Sequence, residues 1–186
     1  MIEAAGEYPD ILFPVFTNGT LLKGDYIKLF DKKRNLLPVL SIEGGQSRTD
    51  GRRGDGVYKS VTSAMERIQE NHLMFGVSVT VTTENLQEVT SDTFLQELQD
   101  NGCKAVIYVE YVPVTEESRT LAPGDAERRR LAKRLAVIRD IYSDMVVIAF
   151  PGDEKAVGGL SGGRTRIFPY QFARRCRALP VFTIFG

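Results

Sequence analysis

The chain has 186 residues, with 24 Lys and Arg against 24 Asp and Glu, two cysteines, one histidine and no tryptophan. Its length suits one domain and falls short of the roughly 250 residues of a full (β/α)₈ barrel, while zero net charge excludes a general binder of nucleic acid or of an anionic membrane. No apolar run approaches the roughly 20 residues that span a bilayer, and Met1 to Glu7 lacks the cationic and apolar regions of a signal peptide, so a cytoplasmic protein is predicted.

In chain order, Ile11 to Phe16 is the first short apolar run and reads as a strand. A helix over about Lys23 to Lys32 follows, with Tyr26, Ile27, Leu29 and Phe30 on one side. Leu36 to Ile42 is the second strand, and Glu43 to Gly56 is a long connection. Val57, Val61, Ala64, Met65 and Ile68 then keep helical spacing, with Lys59, Glu66, Arg67 and Glu70 outside. Phe75 to Thr82 is the third strand. Its helix opens at the N-cap residues Ser91 or Asp92, buries Phe94, Leu95 and Leu98, and stops at Asn101-Gly102. Ala105 to Val112 is the fourth strand, Pro113 to Gly124 a second long connection, and Met145 to Phe150 the fifth strand. Between them a helix from near Asp125 uses Leu131, Leu135, Ile138 and Tyr142 as its buried stripe.

Strands alternating with helices at intervals of about 30 residues predict an α/β fold with a mostly parallel sheet and crossover helices. The strands are almost continuously apolar, which predicts cover on both sheet faces. In such folds the loops after the carboxyl ends of the strands carry the site. Five polar segments fall there: Thr17-Asn18-Gly19-Thr20, Ser41-Ile42-Glu43-Gly44-Gly45, Thr80 to Asn85, Glu110 to Pro113 and Phe150 to Glu154. Each alone is ordinary turn chemistry, but five in register can converge on one ligand.

Glu43 at a strand end can accept hydrogen bonds from a ribose diol or an amine. Arg48, Arg52 and Arg53 can grip a carboxylate or phosphate, or be simply solvated. His72, at a helix end, reads as a surface residue and Cys103 as a buried thiol. The run Arg128-Arg129-Arg130 with Lys133 and Arg134 reads as a solvated helix face. Cys103 and Cys176 are too few for a disulfide framework or a metal site, so no metal ligand is assigned, and the pattern singles out no catalytic residue.

At the strand ends the sequence resembles radical SAM enzymes, particularly the group bearing SPASM or twitch extensions. Phe16-Thr17-Asn18-Gly19-Thr20 resembles the TNG motif of that family's third strand. Leu40-Ser41-Ile42-Glu43-Gly44, with Arg52-Arg53-Gly54-Asp55-Gly56-Val57-Tyr58, resembles the fourth strand and its continuation, and Gly76 to Thr82 resembles the fifth. The resemblance covers about residues 8–159. It implies a partial (β/α) barrel, about the third to seventh strands. In the intact family a [4Fe–4S] cluster cleaves S-adenosylmethionine reductively to start radical chemistry of peptide-modifying or maturase type. By resemblance, Thr17, Asn18, Ser41, Glu43, Arg53, Thr80 and the strand end at Val112 would bind S-adenosylmethionine. A peptide substrate or a complementing chain would be the further partner.

The family's cluster motif, C-x₃-C-x₂-C, and its G-G-E-P segment are missing, so the resemblance implies an incomplete barrel over residues 1–159 that makes no radical alone. A self-sufficient α/β module binding a small molecule, or one half of a split enzyme, are the other readings. Residues 160–186 carry Arg164, Arg166, Arg174, Arg175 and Arg177 and no acid, so residues 1–159 hold 19 basic against 24 acidic groups, a net of −5. This irregular tail reads as frame-shifted: Arg174 to Pro180 admits codons that, one base on, spell G-D-A-E-P-C, and Pro169 to Phe172 admits H-I-N. The genomic nucleotide sequence decides that expectation.

Overall fold

The computed structural model describes residues 2–153, so the tail, its reading frame and Cys176 lie outside the described residues. After a short helix α1 (Ile2–Glu7), the order is β1 (Phe13–Thr17), α2 (Asp25–Lys32), β2 (Leu36–Ile42), α3 (Gln46–Arg53), α4 (Val57–Glu70), β3 (Phe75–Val81), α5 (Leu86–Val89), α6 (Asp92–Asp100), β4 (Cys103–Glu110), α7 (Asp125–Ile141) and β5 (Val146–Phe150). A 3₁₀ turn, Glu117–Leu121, sits between β4 and α7. The five strands form one sheet in the order β1-β2-β3-β4-β5, and every neighbouring pair is parallel.

Strand order equal to chain order means that each crossover steps one strand in the same direction. Crossovers of one hand then place all their helices on one face of the sheet, and the core is divided accordingly. The main cluster joins Phe75, Val77, Val79, Val81, Val106 and Tyr108 of the strands to Val61, Ala64 and Ile68 of α4, Leu95 and Leu98 of α6 and Leu135 and Ile138 of α7. The opposite face carries a smaller cluster of Leu37, Val39 and Ile107, packed with Leu12, Phe16, Val109 and Phe150, in which no helix residue takes part. Among the described residues, helices cover one face, where apolar strands alone predicted cover on two. The second face is the inner surface of an opened barrel, apolar because barrel interiors are filled by strand side chains.

The helices form where spacing predicts them. In α4, Val61, Ala64, Met65 and Ile68 are buried at i, i+3, i+4 and i+7. α6 begins where Ser91 Oγ accepts from the Phe94 N–H at 3.2 Å. Two differences lie in the loops. The connection Glu43 to Gly56 contains α3, and the four residues Leu86 to Val89 form α5. Gly54, at φ 105, ends α3 in a conformation that a side chain would strain, which separates it from α4.

Candidate functional site

Strand pleating sends alternate side chains to the inner face, and the parallel register aligns them across strands. Ser41 of β2 pairs with Ser78 of β3, and Thr80 of β3 pairs with Val109 of β4. All three hydroxylated residues share the parity of Val39 and are half-buried. The hydroxyls of Ser41, Ser78 and Thr80 have no hydrogen-bond partner among the described residues, whereas those of Thr17, Thr49, Thr82 and Thr83 near these strand ends are bonded. Three donor–acceptor groups thus stand without partners among the described residues on an apolar sheet face, near the carboxyl ends of parallel strands. Such a surface suits a ligand that is itself rich in hydroxyl and carbonyl groups.

Just beyond β2 lies an ionic cluster. Glu43 is 2% exposed. Its Oε2 accepts from Arg52 Nη1 at 2.8 Å, and its Oε1 accepts from Arg53 Nε at 2.8 Å and lies 2.6 Å from Arg53 Nη2. The Arg52 guanidinium also lies over the Tyr111 ring, 5.1 Å from its centroid. The Glu43 N–H donates to Thr49 Oγ1 at 3.1 Å, and that hydroxyl donates to the Gly44 carbonyl at 3.0 Å, which fixes the start of α3 against β2. Gly44 has φ 130, and a Cβ there would stand 2.6 Å from Glu88 Oε1, the atom that accepts from the Gly45 N–H at 2.7 Å. No other residue fits that turn.

Asn85 ties this cluster to β3. Its Nδ2 donates to the Glu43 carbonyl at 3.0 Å and to the Thr80 carbonyl at 2.8 Å, and its Oδ1 accepts from the Thr82 N–H at 2.8 Å. Arg48 adds an outer link, donating to Glu84 Oε2 at 2.9 Å and to the Glu84 carbonyl at 3.0 Å. These bonds tie the loops after β2 and β3 together.

Of the residues expected at the site, the structure brings Glu43 and Arg53 into contact and puts Ser41 and Thr80 on one face. Thr17 and Asn18 serve the turn after β1: Thr17 Oγ1 accepts from the Gly19 N–H at 3.2 Å, and Asn18 Oδ1 from the Thr20 hydroxyl at 2.8 Å. Val112 stands two residues past the end of β4 and is 74% exposed. Glu43 is a buried carboxylate rather than a loop acid exposed to water, and both its oxygens accept from guanidinium groups. Asn85, Ser78 and Tyr111 join the site without having been singled out. Asn85 and Tyr111 lay in the strand-end segments Thr80 to Asn85 and Glu110 to Pro113, and Ser78 is a hydroxyl in the strand next to that of Ser41.

His72 is exposed at a helix end, as expected. Cys103 is 1% exposed, and burial pushes its thiol up to about 12. A folded-state pKa above the unfolded value means that the native chain holds the proton longer than the unfolded chain does. Stability should therefore fall as pH rises from about 9 toward 12, by at most about 1.4 kcal/mol per unit from this group. In a Cys176→Ser background, Ellman's reagent at pH 8 should find no reactive thiol in the native state and one in urea; rapid native labelling would contradict this burial.

No protein-family model matches the sequence, and no curated protein matches it either. Solved structures do match. Streptococcus suis SuiB superposes with a TM-score of 0.62 at 18% identity, over 80% of this chain and 34% of that one. The structure of anSMEcpe with bound AdoMet and the Cp18Cys peptide gives 0.64 at 15% identity, over 84% of this chain and 45% of that one. A domain of the pyruvate-formate lyase-activating enzyme from Bacteroides vulgatus gives 0.50 at 9% identity, over 80% of this chain and 88% of that domain. The chain thus spans less than half the length of SuiB and of anSMEcpe. Five consecutive parallel strands with their helices on one face give this chain the α/β fold of part of these neighbours, a partial (β/α) barrel.

Proposed function

We propose that this chain supplies the S-adenosylmethionine-binding surface of a radical SAM enzyme acting on a peptide. The row of unpartnered hydroxyls at Ser41, Ser78 and Thr80, beside the Glu43 cluster at the carboxyl ends of the strands, carries this reading. Its chemistry matches the ribose and adenine groups of that cofactor, which supplies radical initiation when bound. Thr17, Asn18 and the segment at Val112 are assigned to the outer rim of the same surface. SuiB solved with S-adenosylmethionine and with its precursor peptide SuiA, and anSMEcpe solved with AdoMet and a peptide, support both ligand classes.

A [4Fe–4S] cluster does not fit the residues present. The sequence has two cysteines, one of them the core thiol Cys103, and no group of three His, Cys, Asp or Glu able to hold a metal occurs among the described residues. On this reading the cluster thiolates come from outside these 186 residues. A cytoplasmic setting goes with it, and no helix among the described residues is long and apolar enough to cross a membrane.

Isothermal titration of the chain with S-adenosylmethionine tests the reading. Saturable binding is expected, and Ser41→Ala combined with Thr80→Val should weaken it about tenfold, since two hydrogen bonds contribute about 1–3 kcal/mol together. No saturable binding, or unchanged affinity in a variant that melts like the parent, would sink it.

A further inference from the structure

On the outer surface, away from the strand ends, a cleft of about 530 Å³ lies between the start of α6 and the middle of α7. Arg130, Lys133, Arg134 and Val137 line one wall, and Thr90 and Asp92 the other. Arg134 is held in place: its Nε donates to the Thr90 carbonyl at 2.8 Å, and its Nη2 donates to Asp92 Oδ1 at 2.5 Å. Arg130 and Lys133 are exposed and have no hydrogen-bond or ion-pair partner among the described residues. One acid against three cations leaves the cleft with two positive charges, although residues 1–159 as a whole carry a net of −5. This is the part of the basic helical run that sequence alone assigned to solvent.

The spacing selects the shape of a ligand. Arg130 and Arg134 are separated by about 6 Å along the helix axis, at about 1.5 Å per residue. Side chains two apart on an extended peptide, which share one side, are separated by about 6.7 Å. Val137, 45% exposed, continues the same helix face one turn further and offers an apolar contact. We infer that this cleft binds an extended acidic segment of a partner protein, with carboxylates at alternate positions facing Arg130, Lys133 and Arg134 and an apolar side chain against Val137. A compact anion would use the charges but leave the length of the cleft and Val137 unfilled. The inference stands apart from the S-adenosylmethionine surface, which faces the inside of the barrel.

Fluorescence anisotropy of the full chain with a fluorescein-labelled peptide Glu-Ser-Glu-Ser-Leu-Gly tests it. Arg130→Glu with Lys133→Glu should weaken binding about tenfold or more, and raising salt from about 50 to about 300 mM should weaken it several-fold. Arg130→Gln with Lys133→Gln, which adds no acid, should give a smaller loss in the same direction. Arg129→Glu, on the same helix but outside the cleft, should stay within about twofold of the parent. Unchanged affinity in the charge-reversed chain would overturn the inference. So would an equal loss in Arg129→Glu, which would reveal diffuse attraction. Complete displacement by inorganic phosphate at constant ionic strength would overturn it in favour of a compact anion.

Discussion

Asn85→Leu should destabilise the chain by about 3 kcal/mol or more, among the largest losses available to a single polar substitution in this fold. Asn85 is 3% exposed, and its amide holds the carbonyls of Glu43 and Thr80 and the N–H of Thr82. Leucine fills similar space but leaves three backbone groups without partners, and each buried polar group left unmade costs about 1–3 kcal/mol. The total is below the sum because Thr80 is half-buried and water can reach part of the site. Urea unfolding reads the effect; a loss below about 1 kcal/mol would mean that the strand ends are wet and the tie is dispensable. The same variant should lose S-adenosylmethionine binding, because Glu43 and Thr80 would no longer be held in one frame.

The second large effect is asymmetric. Removing both arginines, Arg52→Ala with Arg53→Ala, should cost about 3–5 kcal/mol, because it strands a carboxylate that is 2% exposed. Glu43→Gln should cost less, about 1–2 kcal/mol, since an amide oxygen still accepts and the guanidinium groups, 40% and 27% exposed, can turn toward water. Combining all three changes should recover much of the arginine-pair loss, the signature of coupled groups in a thermodynamic cycle. If the arginine pair costs no more than Glu43→Gln, the cluster is a surface ion pair and Glu43 is not its keystone.

How far the sequence carried is clearest at particular elements. Leu36 to Ile42 is a strand with the expected bounds, and Val57 to Glu70 is a helix with the expected buried face, because each writes its period into consecutive apolar residues. Helix α3 left no such trace: Gln46 to Arg53 contains no apolar side chain, and its single buried residue is Thr49. It is held by the Thr49 hydroxyl and by the Glu43 ion pairs, and these depend on where β2 ends. Helix α5 is four residues long, too short for any period to show. At the site, the family-like motifs pointed to Ser41, Glu43, Arg53 and Thr80. Asn85, in Thr-Thr-Glu-Asn, looked like turn chemistry until the fold buried it beneath two strand ends.

By itself the sequence determined the alternation of strands and helices, and hence a parallel sheet, because side-chain periodicity and turn residues act over a few neighbours. Tertiary structure alone decided that the helices share one face, that Ser41 lies beside Ser78 and that the Glu43 carboxylate is closed by Arg52 and Arg53. It also decided that the hydroxyls of Ser41, Ser78 and Thr80 remain unpaired among the described residues. The placing of the hydroxyls rests on register between separate strands, Ser41 against Ser78 and Thr80 against Val109, which the packing of the whole sheet sets, and the closure of Glu43 rests on α3 folding back against the end of β2.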